Sequence, residues 1–153
     1  MPVSGSRRLG RRRTDHLPAS PALDVKGISE TYFAGWEARD PDAIVALHTE
    51  DTMFWSHFAG EPVRGRSAVR DTFAGLFETF EDFGFETYRV VYGDDHWVLD
   101  WALIARVHGT PVRFDCIDLV MLSADGLVAR KDTFIDASQI PPDLLAARAE
   151  ATS

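Results

Sequence analysis

The chain has 153 residues, a length that predicts a single domain, and 45% of them are hydrophobic. That share is enough to form a hydrophobic core without disulfide bonds or structural metals. The single cysteine, Cys116, excludes an internal disulfide framework and a cysteine-rich metal site. A net charge of −8 argues against a nucleic-acid partner, and no apolar run approaches the ~18–20 residues of a membrane span.

Residues 1–22 carry a net positive charge, whereas the remainder of the chain is net negative. They hold five arginines and one acidic residue, Asp15, so they carry +4 and leave −12 on the remainder of the chain. Gly, Ser and Pro occur there without apolar periodicity, which predicts a disordered basic tail. The paired arginines are typical of an export signal, but no apolar segment of roughly 7–15 residues follows them, so we expect a cytoplasmic protein.

The first half of the folded part is predicted to be mainly helical. Apolar spacing predicts three helices, over residues 27–39, 41–49 and 67–80. Asp40 and Pro41 supply a cap and a first-turn residue for the second helix. An aromatic-rich strand over residues 52–57 is predicted between the second and third helices.

After Gly84 the apolar period changes from 3.6 to 2, which predicts consecutive strands. These strands cover residues 85–92, 96–108, 112–122 and 127–136, with turn-forming residues between them. The order predicts an α+β domain over residues 23–140, in which three N-terminal helices pack on a curved, cone-like antiparallel sheet. The hollow between the helices and the sheet is the expected ligand site. Residues 141–153 are expected to form a C-terminal tail with a loose helical turn.

One carboxylic acid interrupts the apolar stripe of the strand over 112–122. Asp118 alternates with apolar residues that include Cys116 and Val120, so its side chain is expected to face the core. Burying a carboxylate is costly unless the group is paired or protonated. Three interpretations stay open: a protonated carboxyl that acts in an apolar pocket, a structural carboxylate that accepts hydrogen bonds, and a strand whose Asp118 face is not the inner one.

A resemblance to a known family begins at Tyr32. Residues 32–48 read YFAGWEARDPDAIVALH and, with the aromatic strand that follows, resemble the opening of ketosteroid isomerases. Residues 116–120, CIDLV, and the turn at Gly126 resemble their later strands. These enzymes belong to the nuclear-transport-factor-2-like superfamily, with SnoaL-like polyketide cyclases and limonene epoxide hydrolase. The resemblance implies a hydrophobic small-molecule ligand, no cofactor, and a homodimer formed through the outer face of the sheet.

The resemblance also implies roles for particular residues. Tyr32 matches the oxyanion-hole tyrosine of ketosteroid isomerases, and Asp118 matches their protonated oxyanion-hole aspartic acid. The general-base aspartate of that family matches Ser56, which cannot take a proton from carbon near neutral pH. Steroid isomerisation by the family mechanism is therefore not expected.

A replacement base has several candidates. His48 has a suitable unperturbed pKa, His57 points away from Ser56 in a regular strand, and Lys131 qualifies only if burial lowers its pKa. A water held by Ser56 is a further candidate. Each side chain also has an ordinary interpretation as a packed or surface residue, and the pattern leaves open whether Lys131 or Asp132 faces the pocket.

The aromatic content suits a ligand pocket, although plain core packing explains it equally well. The side chains expected to contact the ligand are Trp36, Phe54, His57, Phe73, Phe77, Trp101, Leu103, Cys116, Val120 and Thr133.

The preferred function is a small acid–base enzyme, of isomerase, cyclase or epoxide hydrolase type, without metal or cofactor, acting on a hydrophobic ring-containing carbonyl or epoxide compound. The alternative is a non-catalytic binding protein, which the serine at position 56 favours.

Overall fold

The structure is a computed structural model that describes residues 22–58 and 60–144. Its elements are α1 (Val25–Glu37), α2 (Pro41–Val45), β1 (His48–Ser56), β2 (Val63–Arg64), α3 (Arg66–Thr79), β3 (Glu81–Tyr92), β4 (His96–Val107), β5 (Thr110–Leu122), β6 (Val128–Ile135) and a 3-10 helix (Ala137–Gln139). A helical turn starts at residues 142–144, but the rest of the expected C-terminal tail and the basic N-terminal tail lie outside the described residues. Within the described ranges, no helix is long and apolar enough to cross a membrane.

Capping side chains determine where the first two helices begin. Asp24 accepts a hydrogen bond from the backbone N–H of Gly27 at 3.0 Å, and Asp40 accepts one from the N–H of Ala43 at 3.2 Å. The prediction that α2 extends to residue 49 is wrong. The carbonyl oxygen of Leu47 already accepts a hydrogen bond from a β6 residue, so the chain has entered the sheet by that point.

The six strands form one curved, unclosed sheet in the order β2-β1-β6-β5-β4-β3. The predicted α+β class is confirmed, but the expectation of a wholly antiparallel sheet is wrong for one pair, since β1 and β6 are parallel. Their connection runs through β2, α3, β3, β4 and β5, which is ample length for a parallel crossover. The last strand of the meander therefore lies beside the first strand of the domain.

Alternation along β4 and β5 builds the face of the sheet that meets the helices, here called the inner face. Trp97, Leu99 and Trp101 are buried on it, whereas Ile104 and Arg106 are exposed on the opposite, outer face. Helices α1 and α3 cover the inner face through an aromatic cluster. A cavity remains between the two layers, and it holds the polar groups described next.

Candidate active site

The cavity is enclosed by the inner face of the sheet and by side chains from α1 and α3. It offers about 80 Å³ to the centres of water molecules, several times the ~10–15 Å³ that one water needs. Most of its wall is aromatic or aliphatic. The hydroxyl-bearing and charged residues in the wall are Tyr32, Ser56, Asp118, Lys131 and Thr133.

Strand register brings these polar groups together. Ser56 of β1 pairs with Thr133 of β6, which pairs on its other side with Asp118 of β5. Lys131 precedes Thr133 by two residues and therefore shares its face. The Nζ atom of Lys131 lies 5.2 Å from the ring centroid of Tyr32 on α1. The antiparallel β5–β6 pairing thus brings Asp118, Thr133 and Lys131 together, and the parallel β1–β6 pairing adds Ser56.

Lys131 and Asp118 form a buried ion pair in the cavity wall. The Nζ atom of Lys131 is 3.3 Å from Oδ2 of Asp118, and the two side chains are only 7% and 4% exposed. The hydroxyl of Thr133 donates to Oδ1 of Asp118 at 2.8 Å. Both carboxyl oxygens therefore face donors, as an ionised carboxylate requires. This geometry favours an acceptor role for Asp118 over the protonated donor that the resemblance implies.

Opposing effects act on the Lys131 ammonium group. Burial lowers its pKa, but the negative charge of Asp118 and the nearby Tyr32 raise it by more, so the pKa lies above the ordinary 10.5. The ring of Trp36, whose centroid is 4.2 Å from Nζ, adds a cation–π contact. Lys131, and not Asp132, faces the cavity. It faces it as a charged donor, so the neutral-base role lacks the lowered pKa that it needs.

His48 lies behind Tyr32 and does not line the cavity. Its Nε2 atom is 3.0 Å from the Tyr32 hydroxyl, and its Nδ1 atom is 2.9 Å from Oγ1 of Thr52. The Thr52 hydroxyl donates to the carbonyl oxygen of Val128 at 3.1 Å, so its oxygen accepts from Nδ1–H of His48. Nε2 then accepts from the Tyr32 hydroxyl, and the network assigns the Nδ1-protonated neutral tautomer to His48.

These surroundings disfavour His48 as a general base. Burial, together with the positive charges of Lys131 and Arg66, lowers the pKa of His48 to about 3. Burial raises the pKa of Tyr32, and Lys131 opposes that rise only in part. The Tyr32 hydroxyl hydrogen therefore stays on oxygen and is already donated to His48. Tyr32 would have to break this bond to serve as an oxyanion donor.

His57 lies on the outer face, away from the cavity. Its ring stacks between those of Trp55 and Phe134, with centroid distances of 3.9 and 4.1 Å. Its Nε2 atom is 2.8 Å from Oδ1 of Asp132, and Arg130 forms two further hydrogen bonds to the same carboxylate. A ligand contact by His57 inside the cavity is therefore excluded by the direction in which its side chain points.

The other expected ligand contacts divide into two groups. Those found in the cavity wall are Trp36, Phe54, Trp101, Leu103, Cys116 and Thr133, whereas Phe73, Phe77 and Val120 do not line it. Phe73, for example, packs edge-on behind Trp36 at 4.8 Å. Wall residues that the sequence interpretation missed are Phe33, Leu76, Phe80, Phe83, Phe85, Trp97, Leu99 and Ile135. Trp97 and Leu99 share the alternation of Trp101, so that pattern could have identified them.

Across the described ranges, no group of three or more His, Cys, Asp or Glu side chains could hold a metal ion.

Known proteins share this architecture. The SnoaL-like domain family matches residues 29–131. A hypothetical protein with a ketosteroid isomerase-like fold from Catenulispora acidiphila DSM 44928, solved in complex with trimethylamine, superimposes with a TM-score of 0.67 at 17% identity and covers 74% of this chain and 88% of that chain. SalBIII, an epoxide hydrolase/cyclase-like enzyme with a role in pyran ring formation in the polyether salinomycin, has a TM-score of 0.67 at 20% identity and covers 75% and 92% respectively. None of the curated proteins matches the chain.

We expect His48 to make the fold sensitive to acid. Its folded-state pKa of about 3 lies below the ordinary 6.5, so the unfolded chain takes up a proton first as pH falls. The stabilisation is complete above 6.5 and is lost as the pH falls towards 3, which amounts to about 2.5 kcal/mol between pH 7 and 4.5. Urea unfolding at pH 7 and pH 4.5 measures how much the free energy of unfolding falls between these two values. That fall should be about 2.5 kcal/mol smaller in His48→Gln than in the wild type. An equal loss in both proteins would contradict the buried neutral histidine.

The ion pair predicts a non-additive effect on stability. Lys131→Met or Asp118→Leu alone leaves one buried charge unpaired and should lower the free energy of unfolding by about 3–5 kcal/mol. The double variant removes both charges and completes an apolar wall, so it should recover most of the wild-type stability. Denaturant titration of the four proteins measures this. A double variant as unstable as the single variants would instead assign the pair a structural role.

Proposed function

The chain belongs to the SnoaL-like domain family, and we propose that it is a small acid–base enzyme that acts on a hydrophobic, ring-containing carbonyl compound without metal or cofactor. The observation that supports this proposal is the buried Lys131–Asp118 pair in the wall of an aromatic cavity. Apolar replacements of such pairs often leave stability unchanged or raise it. Stability therefore does not explain two charges beside a cavity, whereas perturbed ionisable groups in clefts are typical of active sites.

In the proposed reaction, Asp118 is the base. Its carboxylate takes a proton from the carbon next to the substrate carbonyl, and the C–H electron pair moves into the enolate. The Lys131 ammonium donates a hydrogen bond to the carbonyl oxygen, where the negative charge develops. Return of the proton to another carbon gives isomerisation. Attack of the enolate carbon on a second carbonyl of the substrate gives ring closure: the π electrons of that carbonyl move to its oxygen, which takes the proton from Asp118. With an epoxide, Asp118 would take a proton from water while the water oxygen forms a bond to an epoxide carbon. The C–O bond of that carbon would break, its electron pair would go to the epoxide oxygen, and Lys131 would protonate this oxygen and then regain a proton from Asp118.

The neighbouring hydroxyl groups support these assignments. Thr133 donates to Oδ1 of Asp118 and so fixes the orientation of the carboxylate. Within the described residues, the hydroxyl of Ser56 has no hydrogen-bond partner, so it is available to a ligand or a water molecule in the cavity. The Tyr32 hydroxyl is committed to His48, which leaves Tyr32 as a wall residue against Lys131. In this scheme Asp118 takes over the task for which Ser56 is unsuited.

The proposed enzyme is a homodimer that pairs through the outer face of the sheet. Large apolar side chains are exposed there, including Ile104 at 40% and Phe134 at 45%. Ile117, Leu119 and other residues of β5 add partly buried apolar surface to the same face. Light scattering at low micromolar concentration should give about twice the chain mass of 17.1 kDa. A monomer mass would contradict this part of the proposal.

One observation favours the alternative, a binding protein without catalysis. Both oxygens of Asp118 already face donors, Thr133 and Lys131, so the carboxylate is engaged by the protein before any ligand binds. An enzyme needs the substrate to displace or loosen one of these contacts when it binds. The two functions therefore differ in whether a bound ketone exchanges its protons.

Deuterium exchange into 2-tetralone, a bicyclic ketone, tests the proposed reaction. The wild-type protein should accelerate the loss of the hydrogens next to the carbonyl in D₂O, as followed by proton NMR. Asp118→Asn keeps the shape but removes the base, and should slow the exchange about 10²–10⁴-fold. Lys131→Met removes the cation that stabilises the enolate, and should slow it about 10²–10³-fold.

Asp125→Asn is the matched control, because Asp125 is exposed in the turn between β5 and β6. This variant should exchange protons at the wild-type rate. Binding of 2-tetralone without accelerated exchange would refute the enzyme and favour the binding protein. Exchange that persists unchanged in Asp118→Asn would refute the assignment of the base.

A further inference from the structure

A chain of buried hydrogen bonds runs from the backbone of β6 back to Lys131 on the same strand. The hydroxyl of Thr52 donates to the carbonyl oxygen of Val128 at 3.1 Å, and its oxygen is 2.9 Å from Nδ1 of His48. The Nε2 atom of His48 is 3.0 Å from the hydroxyl oxygen of Tyr32. Thr52 and His48 are 0% exposed and Tyr32 is 1% exposed, so bulk water does not compete for these groups.

The direction of every hydrogen bond in this chain follows from its first acceptor. A backbone carbonyl oxygen accepts but cannot donate, so Thr52 uses its only hydroxyl hydrogen on Val128, and its oxygen is left as an acceptor. His48 then donates from Nδ1 and accepts at Nε2, which takes the hydrogen of the Tyr32 hydroxyl. The lone pairs of the Tyr32 oxygen therefore remain for another donor.

That donor is the Lys131 ammonium group. Tyr32 and Lys131 share a side-chain hydrogen bond, and this contact contributes to the raised pKa of Lys131. An ammonium group has three N–H donors and no acceptor. Asp118 faces one donor, with the two atoms 3.3 Å apart, and the Tyr32 oxygen takes a second. One N–H is left without an oxygen acceptor in the described part of the chain, and the two fixed acceptors define the direction in which it points.

We infer that Thr52 and His48 are positioning residues for Lys131: they keep the Tyr32 oxygen as an acceptor and so leave one ammonium N–H for the carbonyl oxygen of the ligand. Neither residue lines the cavity, so both act through Tyr32. The inference rests on the proposed function for the role of Lys131. Thr52 is the residue to test, because without its oxygen the Nδ1–H of His48 has no acceptor. The opposite tautomer of His48 would turn the Tyr32 hydroxyl hydrogen towards the ammonium group.

Nitrogen-15 NMR of the histidine rings in the wild-type protein tests the direction of the chain. His48, identified by the loss of its signals in His48→Gln, should carry its hydrogen on Nδ1 and leave Nε2 unprotonated at pH 7. The opposite tautomer, or a doubly protonated ring at this pH, would overturn the inference. This measurement does not require that any variant at Thr52 folds.

Substitutions at Thr52 test whether the chain acts on Lys131. Thr52→Val keeps the shape but removes the hydroxyl, so the Lys131 ammonium should lose its proton at lower pH than in the wild type, as followed by ¹⁵N NMR of Nζ. In the exchange of 2-tetralone, kcat should fall about three- to tenfold with little change in KM, because a hydrogen bond that orients the cation is lost. Thr52→Ser retains a hydroxyl and should restore both values.

Thr49→Val is the matched control. The hydroxyl oxygen of Thr49 lies on the same strand, β1, and is buried, but it has no hydrogen-bond partner within the described residues. This variant therefore makes the same chemical change outside the chain, and it should leave the Lys131 titration and the exchange rate at their wild-type values. Tyr32→Phe removes the oxygen through which Thr52 acts, so adding Thr52→Val to that variant should not lower the Lys131 titration further.

Failure of this inference can be told apart from failure of the proposed function. A Lys131 titration that is equal in the wild type and in Thr52→Val, or that Thr49→Val lowers by the same amount, would overturn the inference and leave the proposed function intact. Unchanged exchange in a Thr52→Val protein whose Lys131 titration is lowered would overturn it as well. A wild-type protein that binds 2-tetralone without accelerated exchange would refute the proposed enzyme, and the Lys131 titrations would then decide the inference alone.

Discussion

The attraction between Lys131 and Asp118 allows two charged side chains to lie in the wall of an otherwise apolar cavity. Each charge alone would be costly at 7% and 4% exposure, and each is tolerated because the other lies 3.3 Å away. The positive charge of Lys131 helps to lower the pKa of His48, and the neutral His48 then accepts the Tyr32 hydroxyl hydrogen. Burial is the larger cause of the neutral state of His48, and the ion pair adds to it.

The order of the strands places Lys131 and Asp118 on neighbouring strands, β6 and β5. The parallel contact of β1 with β6 brings Ser56 beside Thr133, and the antiparallel contact of β6 with β5 brings Thr133 beside Asp118. The same sheet presents Trp97 and Trp101 on either side of that row. The polar groups of the cavity and the tryptophans of β4 thus lie on one face of one sheet, where the register fixes their spacing.

Periodicity along the chain was sufficient to predict the helices, the meander and the inner position of Asp118. Alternation reports which face a residue occupies, and it correctly separates Asp118 from its outward neighbours on β5. Alternation does not report which residues meet across strands, because that depends on register. Asp118 pairs with Thr133, whereas Lys131 pairs with Val120 and reaches Asp118 diagonally. Hence the sequence left open whether Asp118 is a protonated donor or a hydrogen-bonded carboxylate, because alternation does not reveal that its neighbour is the ammonium group of Lys131. His48 was placed on a helix because the pairing that draws Leu47 and His48 into the sheet is with β6, eighty residues later in the chain.

The most direct measurement is the ¹⁵N NMR titration of the lysine Nζ atoms, because the chain has only two lysines and Lys26 is exposed. We predict that Lys131 gives a separate ammonium resonance which persists above pH 10.5, since Asp118 and Tyr32 together raise the pKa of this group more than burial lowers it. In Asp118→Asn the same resonance should titrate at lower pH. A Lys131 amine that is neutral below pH 10.5 in the wild-type protein would contradict the ion pair, and with it the assignment of Lys131 as the oxyanion-stabilising cation.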